Sequence, residues 1–82
     1  MAYSKDESRQ LRRLGAKIRQ FRVAAGWSQE EFAFQTELHR NYIGGVERGE
    51  RNVSALNLIR MANALNVSIG QFLINTPLSK SV

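Results

Sequence analysis

The chain has 82 residues, no cysteine and a formal net charge of +5 at pH 7. This length allows one domain with a small hydrophobic core, and the lack of cysteine excludes disulfides and zinc–thiolate centres as stabilising elements. No apolar run approaches the length of a membrane span and no signal peptide is visible, so we expect a cytoplasmic protein that does not bind membranes.

A first helix is predicted over residues 7–25, where Leu14, Ile18 and Phe21 recur at helical spacing. The preceding residues 1–7 are polar and show no period, and we interpret them as a flexible N-terminal arm. The other faces of the helix carry basic side chains that are either solvated or in contact with phosphates. These residues are Arg12, Arg13, Lys17 and Arg19.

The segment 28–48 predicts two short helices joined by a tight turn. Ser28 is a favourable N-cap for the first of them, and Glu31 stands where its carboxylate can complete a capping box. Trp27 before the cap and Phe32 inside the helix have the spacing of a hydrophobic staple. These signals place the start of the helix directly after Ser28.

The second of these helices is predicted from His39 to Arg48, after a turn at Thr36–Leu38. Ile43 and Val46 have the i, i+3 spacing of a buried face. On the outer face, an arginine can bind the O6 and N7 atoms of guanine, and an asparagine can bind an adenine edge. We therefore predict that this helix lies in the major groove of DNA and reads bases through His39, Arg40, Asn41 and Gly44.

Two adjacent glycines, Gly44 and Gly45, lower the helix propensity of this segment by about 1 kcal/mol each. A glycine on the outer face allows the backbone to approach DNA closely, whereas one on the inner face allows another helix to pack closely. We interpret Gly44 as a site of close approach to DNA and leave both alternatives open for Gly45.

Three motifs in this region resemble the phage-repressor (Xre-like) helix-turn-helix family: Gln29-x-x-Phe32-Ala33, Leu38-His39-Arg40-x-Tyr42-Ile43 and Val46-Glu47-Arg48-Gly49. The run from Glu47 to Asn52 is particularly similar to the controller proteins of restriction–modification systems. The resemblance covers about residues 11–73. It implies an all-α fold, namely a compact five-helix phage-repressor-like DNA-binding domain, over residues 8–74.

Two positions depart from the pattern of this family. The family often has glycine or asparagine where Glu37 stands, because the turn residue adopts a left-handed conformation. It favours serine or aspartate at the cap position of His39. We expect a somewhat strained turn and a weaker cap, with His39 as a candidate for facing DNA instead of capping.

The resemblance also implies contacts with the DNA backbone. Gln29 lies at a helix N-terminus, where free N–H groups bind anions, and a loop beside the backbone carries Arg48 and Arg51. Glu50 would repel phosphate and is expected to point away. Tyr42 either binds a phosphate or packs against the first helix. The predicted backbone contacts are Gln29, Tyr42, Arg48, Arg51 and Asn52.

In the resembling family, an arginine that matches Arg22 often pairs with the glutamate that matches Glu47. We therefore expect an Arg22–Glu47 ion pair that ties the first helix to the end of the recognition helix. This assigns Glu47 a structural role.

The C-terminal third predicts a fourth helix over residues 55–65 and a fifth over 69–73. Ser54 and Ser68 are their expected N-caps, and residues 75–82 are interpreted as a flexible tail. The apolar side of the fourth helix is expected to contain Leu56, Leu58, Ile59, Ala62 and Leu65. This region is more apolar than one small core needs, so we predict a dimer interface. The interface residues are Leu65, Val67, Ile69, Leu73 and Ile74.

These features predict a sequence-specific DNA-binding regulator that binds as a homodimer to a symmetric operator. The resemblance implies control of a restriction–modification operon, including the protein's own promoter. A phage or mobile-element repressor or an antitoxin is an alternative, and a protein-binding helical adaptor is an alternative of a different class. We find no constellation of catalytic groups or metal ligands and predict no enzyme, cofactor or small-molecule substrate. The predicted partners are double-stranded DNA and a second copy of the chain, with RNA polymerase as a further candidate.

Overall fold

The computed structural model describes residues 3–73, and these residues form five helices. The helices are α1 (Lys5–Ala24), α2 (Gln29–Thr36), α3 (Arg40–Glu47), α4 (Ala55–Leu65) and α5 (Ile69–Leu73). The predicted all-α, five-helix fold is therefore confirmed. Within the described part of the chain, the helices are too short or too polar to cross a membrane. The predicted tail at residues 75–82 lies outside this part.

The predicted start of α1 is wrong by two residues, because Ser4 forms the N-cap. Its hydroxyl accepts a hydrogen bond from the Glu7 backbone N–H at 3.1 Å, and its own backbone N–H donates to Glu7 Oε1 at 2.9 Å. This reciprocal pair is a complete capping box. Residues 5–7 consequently form the first turn of α1 and do not belong to a flexible arm.

The hydrophobic core lies between α3 and the helices around it. α3 packs against both α1 and α2, and α5 packs against α1 and α4. Six large side chains in this core are fully buried: Ile18, Phe32, Ile43, Val46, Met61 and Phe72. The Trp27 and Phe32 rings lie 6.1 Å apart, as expected of the hydrophobic staple.

The predicted apolar side of α4 is partly wrong. Met61 and Ala62 are buried, and Leu58 and Leu65 pack against the core. Leu56 and Ile59 instead remain 60% and 41% exposed. Only one stripe of a helix can face a core, and here that stripe follows the i, i+3 and i+7 spacing from Leu58. Because the helix is apolar around much of its circumference, its sequence does not specify which stripe is buried.

Candidate nucleic-acid interface

The turn between α2 and α3 determines where α3 begins. Glu37 adopts the left-handed conformation, with φ of 59° and ψ of 31°, so the strained turn expected from the sequence is present. The backbone N–H of Leu38 donates to the carbonyl of Ala33 at 3.1 Å, and that of Glu37 to Phe34 at 3.3 Å. This pair of bonds is a Schellman motif. It ends α2 abruptly, and Leu38 then packs against the core.

The cap at the start of α2 is simpler than predicted. Ser28 Oγ accepts from the Glu31 backbone N–H at 3.0 Å, as expected. The Glu31 carboxylate does not complete a capping box and instead accepts a hydrogen bond from Gln35 Nε2 at 2.7 Å. Glu31 and Gln35 are four residues apart and share one face of α2, so their side chains can reach each other.

His39 caps α3, contrary to the idea that it faces DNA instead of capping. Its Nδ1 atom accepts a hydrogen bond from the Asn41 backbone N–H at 3.3 Å. This distance is long for such a bond, which agrees with the weak cap expected from the sequence. The remaining ring nitrogen belongs to an exposed side chain at the start of the helix.

The outer face of α3 borders a polar cleft of about 280 Å³. It brings together most of the side chains that the sequence predicted to contact DNA. Its lining consists of Gln29, Arg40, Asn41, Gly44, Gly45, Arg48, Glu50 and Arg51. Two helices and the loop after α3 therefore form one surface with both charge signs.

Two arginines at this surface are paired with carboxylates. The Nε atom of Arg40 lies 2.7 Å from the Glu30 carboxylate, and that of Arg48 lies 3.1 Å from Glu50. The expectation that Glu50 points away is not met in the single chain, because Glu50 lines the same cleft as Arg48. Gly49 has a φ of +77° and turns the chain back, so that Glu50 returns beside Arg48. No local pattern in the chain indicates the Glu30–Arg40 pair, since its members lie on different helices.

The space beside the two glycines of α3 is occupied by side chains. A Cβ atom at Gly44 would lie 3.1 Å from Arg48 Nη1 and 3.7 Å from Gln29 Oε1. A Cβ atom at Gly45 would lie 2.6 Å from Arg51 Cγ. The nearest atoms at both positions therefore belong to cleft-lining side chains, and close packing against another helix does not explain either glycine.

The Tyr42 side chain contacts both the loop after α3 and α4. Its hydroxyl donates to the carbonyl oxygen of Asn52 at 3.4 Å and accepts from Asn57 Nδ2 at 3.2 Å. The guanidinium carbon of Arg51 lies 5.9 Å from the centre of its ring, within cation–π distance. Tyr42 thus connects α3 to the following loop and to α4.

The expected ion pair between Arg22 and Glu47 is present and buried. Arg22 donates from Nε at 2.7 Å and from Nη2 at 3.1 Å to the two oxygens of the Glu47 carboxylate. It also donates from Nη1 to the carbonyl of Trp27 at 2.8 Å. Gln29 Nε2 donates to Glu47 at 3.0 Å. This network fixes the end of α3 against α1 and the start of α2.

Gly15 is a structural residue that the sequence analysis missed. It is buried in α1, and a Cβ atom there would lie 2.6 Å from the Glu47 carbonyl oxygen and would also collide with that of Val46. Only glycine permits this close crossing of α1 and α3. The signal for this role in the sequence is a glycine inside an otherwise regular helix. Such a glycine lowers the helix propensity and usually has a packing or functional reason.

The predicted dimer interface is only partly exposed in the single chain. Leu65, Val67 and Ile69 pack against the core and keep part of their surface accessible. Leu73 is 47% exposed, and Ile74 lies outside the described residues. Separate from this set, the side chain of Phe34 on α2 is 78% exposed.

The fold and the cleft define a helix-turn-helix domain that presents the outer face of α3. The sequence profile of the helix-turn-helix family matches residues 18–72. The control protein C.BamHI of Bacillus amyloliquefaciens is 48% identical over 54 residues, which is 65% of this chain and 67% of that protein. The chain therefore belongs to the helix-turn-helix family of transcription regulators, and restriction–modification control proteins are among its relatives.

Solved structures of control proteins have the same fold. The restriction–modification controller protein C.AhdI from Aeromonas hydrophila superimposes with a TM-score of 0.74 at 45% identity, covering 76% of this chain and 94% of that one. The controller protein C.Esp1396I has been solved as a tetramer in complex with its natural 35-base-pair operator. It superimposes with a TM-score of 0.71 at 33% identity, over 78% of this chain and 84% of that one.

Proposed function

We propose that this protein binds as a homodimer to a two-fold symmetric operator and regulates transcription of its own restriction–modification operon. The observation that carries the proposal is the exposed start of α3, where Arg40 and Asn41 stand beside a cleft that also contains Arg48 and Arg51. The similarity of the chain to control proteins supports a restriction–modification operon as the regulated target. We also propose that the protein catalyses no reaction, acts in the cytoplasm and has RNA polymerase as a further partner.

Base reading is assigned to the first turns of α3. Arg40 is suited to the O6 and N7 atoms of guanine, and Asn41 to an adenine edge. Gly44 lets the helix backbone approach the base pairs, because the side chains above it end in flexible groups that can move aside. His39 contributes through the ring nitrogen that does not cap the helix.

Phosphate binding is assigned to residues around the cleft. Arg51 and Arg48 supply positive charge, and Gln29 lies at the N-terminus of α2, where backbone N–H groups favour anions. Tyr42 can donate to a phosphate by giving up its 3.4 Å bond to the Asn52 carbonyl, which is long and therefore weak. Asn52 contributes its exposed side chain beside it.

Replacing Arg40 with alanine should weaken binding to the cognate duplex by about 1–3 kcal/mol and binding to random DNA much less. The reason is that a bidentate contact with guanine is available only at the correct base. The measurement is equilibrium binding by fluorescence anisotropy, with a cognate duplex first selected from a random DNA pool.

Arg13→Ala is the matched control for this experiment, since it removes an exposed arginine from α1, away from the cleft. It should change the affinities for cognate and random DNA by the same factor. Equal losses on both duplexes for Arg40→Ala would contradict base reading by this residue. A protein that selects no motif at all would indicate a helical adaptor.

The homodimer should appear in sedimentation equilibrium at micromolar concentration as about twice the mass of the chain. Replacing Leu73 with glutamate should shift it to a monomer, because the exposed Leu73 would then place a charge in the interface. The matched control is Leu56→Glu, at an exposed leucine of α4 outside the predicted interface. A monomer at every concentration before mutation would exclude this assembly in the absence of DNA.

A further inference from the structure

The Glu30–Arg40 ion pair spans the turn of the helix-turn-helix. Glu30 is the second residue of α2 and Arg40 is the first residue of α3. The Glu30 carboxylate lies 2.7 Å from Arg40 Nε, and the two side chains are 66% and 53% exposed. The guanidinium that the proposed function assigns to guanine is therefore already bound to a carboxylate before DNA arrives.

The contact through Nε leaves the other end of the guanidinium available. Arginine has five N–H donors in a fixed planar fork, and four of them are on the two Nη atoms. Bidentate recognition of guanine needs two donors directed to O6 and N7. A carboxylate that holds Nε fixes the plane of the fork while these two donors remain free.

The same carboxylate opposes contacts with phosphates. The pKa of Glu30 lies below its ordinary value, because a backbone N–H at the start of α2 hydrogen-bonds the carboxylate and because Arg40 lies beside it. Glu30 therefore stays ionised at neutral pH. A phosphate that takes Arg40 must displace this negative charge and approach it closely, which is unfavourable on any DNA sequence.

We propose that Glu30 is a specificity-determining residue that acts through Arg40. The Glu30 carboxylate orients the Arg40 guanidinium for guanine and disfavours its contact with phosphates. Glu30 therefore lowers the affinity for random DNA relative to the affinity for the operator. This inference rests on the proposed function, because it requires Arg40 to read a base.

The test is Glu30→Gln, measured on cognate and random duplexes over a range of salt concentrations. The ratio of cognate to random affinity should fall about two- to fivefold, a size that is typical of an exposed ion pair. On random DNA, the slope of log affinity against log salt should steepen by about 0.9, because Arg40 becomes available for one more phosphate. A purely structural role for Glu30 would leave this slope unchanged.

Two further variants separate the effect of Arg40 from the effect of net charge. Glu31→Gln makes the same charge change on the next residue, whose carboxylate is bonded to Gln35, and should leave both the ratio and the slope close to their original values. In an Arg40→Ala background, Glu30→Gln should have no further effect on either quantity.

The results that refute the role of Glu30 differ from the result that refutes the proposed function. If Glu30→Gln leaves the ratio and slope unchanged, if Glu31→Gln changes them equally, or if the effect persists without Arg40, the role of Glu30 is refuted. If the unmutated protein itself does not distinguish any duplex from random DNA, the proposed function fails together with this inference.

Discussion

Replacing Glu47 with alanine is expected to lower the free energy of unfolding by about 3–5 kcal/mol. The substitution leaves Arg22 buried with a positive charge and without its two bonds to the Glu47 carboxylate. It also removes the partner of Gln29 Nε2. Native domains typically have a stability of about 5–15 kcal/mol, so the expected loss is a substantial fraction of the total.

Urea unfolding followed by circular dichroism measures this loss. Asp6→Ala is the matched control, because it breaks the 3.3 Å pair with Arg9, whose partners are both exposed. Such a pair contributes at most about 1 kcal/mol. The double variant Arg22→Met/Glu47→Leu should lose less than Glu47→Ala, since it leaves no unpaired buried charge. A loss below 1 kcal/mol for Glu47→Ala would show that the network is not a structural determinant.

Replacing Gly15 with alanine is expected to cost about 3 kcal/mol, although alanine is the better helix former. In a helix interior, alanine is favoured over glycine by about 1 kcal/mol at most. Overpacking a core typically costs about 1–3 kcal/mol and occasionally more. We place this clash at the upper end, because the added methyl group meets backbone atoms of α3 that cannot rotate away. The clash therefore outweighs the gain in helix propensity.

Gly70→Ala is the control for helix propensity without a clash. Gly70 lies in α5, and a Cβ atom there would meet only Ser68 Oγ, at the ordinary contact distance of 3.8 Å. This variant should be unchanged or slightly stabilised in the same urea experiment. If Gly15→Ala also left the free energy of unfolding unchanged, α1 and α3 could move apart without losing stability. The close crossing would then not be needed for stability.

The two substitutions are also expected to affect recognition, because both sites hold α3 in its orientation. The Arg22–Glu47 network and the Gly15 crossing both hold the C-terminal end of α3 against α1. The proposed base-reading residues are at the opposite end of the same helix. A small rotation of a helix that is eight residues long would therefore displace Arg40 and Asn41 from the base edges.

Local signals in the sequence were sufficient for the order of the helices and for most of their ends. Ser28 and Ser54 cap α2 and α4, and Asn66 ends α4 in the left-handed conformation. These features depend on contacts within about four residues, so they can be read without knowing the fold. The capping box of Ser4 and Glu7 is equally local, and it was missed because the preceding segment carries no hydrophobic period.

Contacts between helices were decided only by the tertiary structure. The resemblance to a known family indicated the Arg22–Glu47 pair, but no spacing in the chain predicts that Glu30 meets Arg40 or that Gly15 lies against α3. The same holds for which stripe of α4 is buried. The sequence by itself determined which segments become helices, and it predicts which side chains read DNA. The crossing of the helices determined which charges meet, since that depends on distances between residues far apart in the chain.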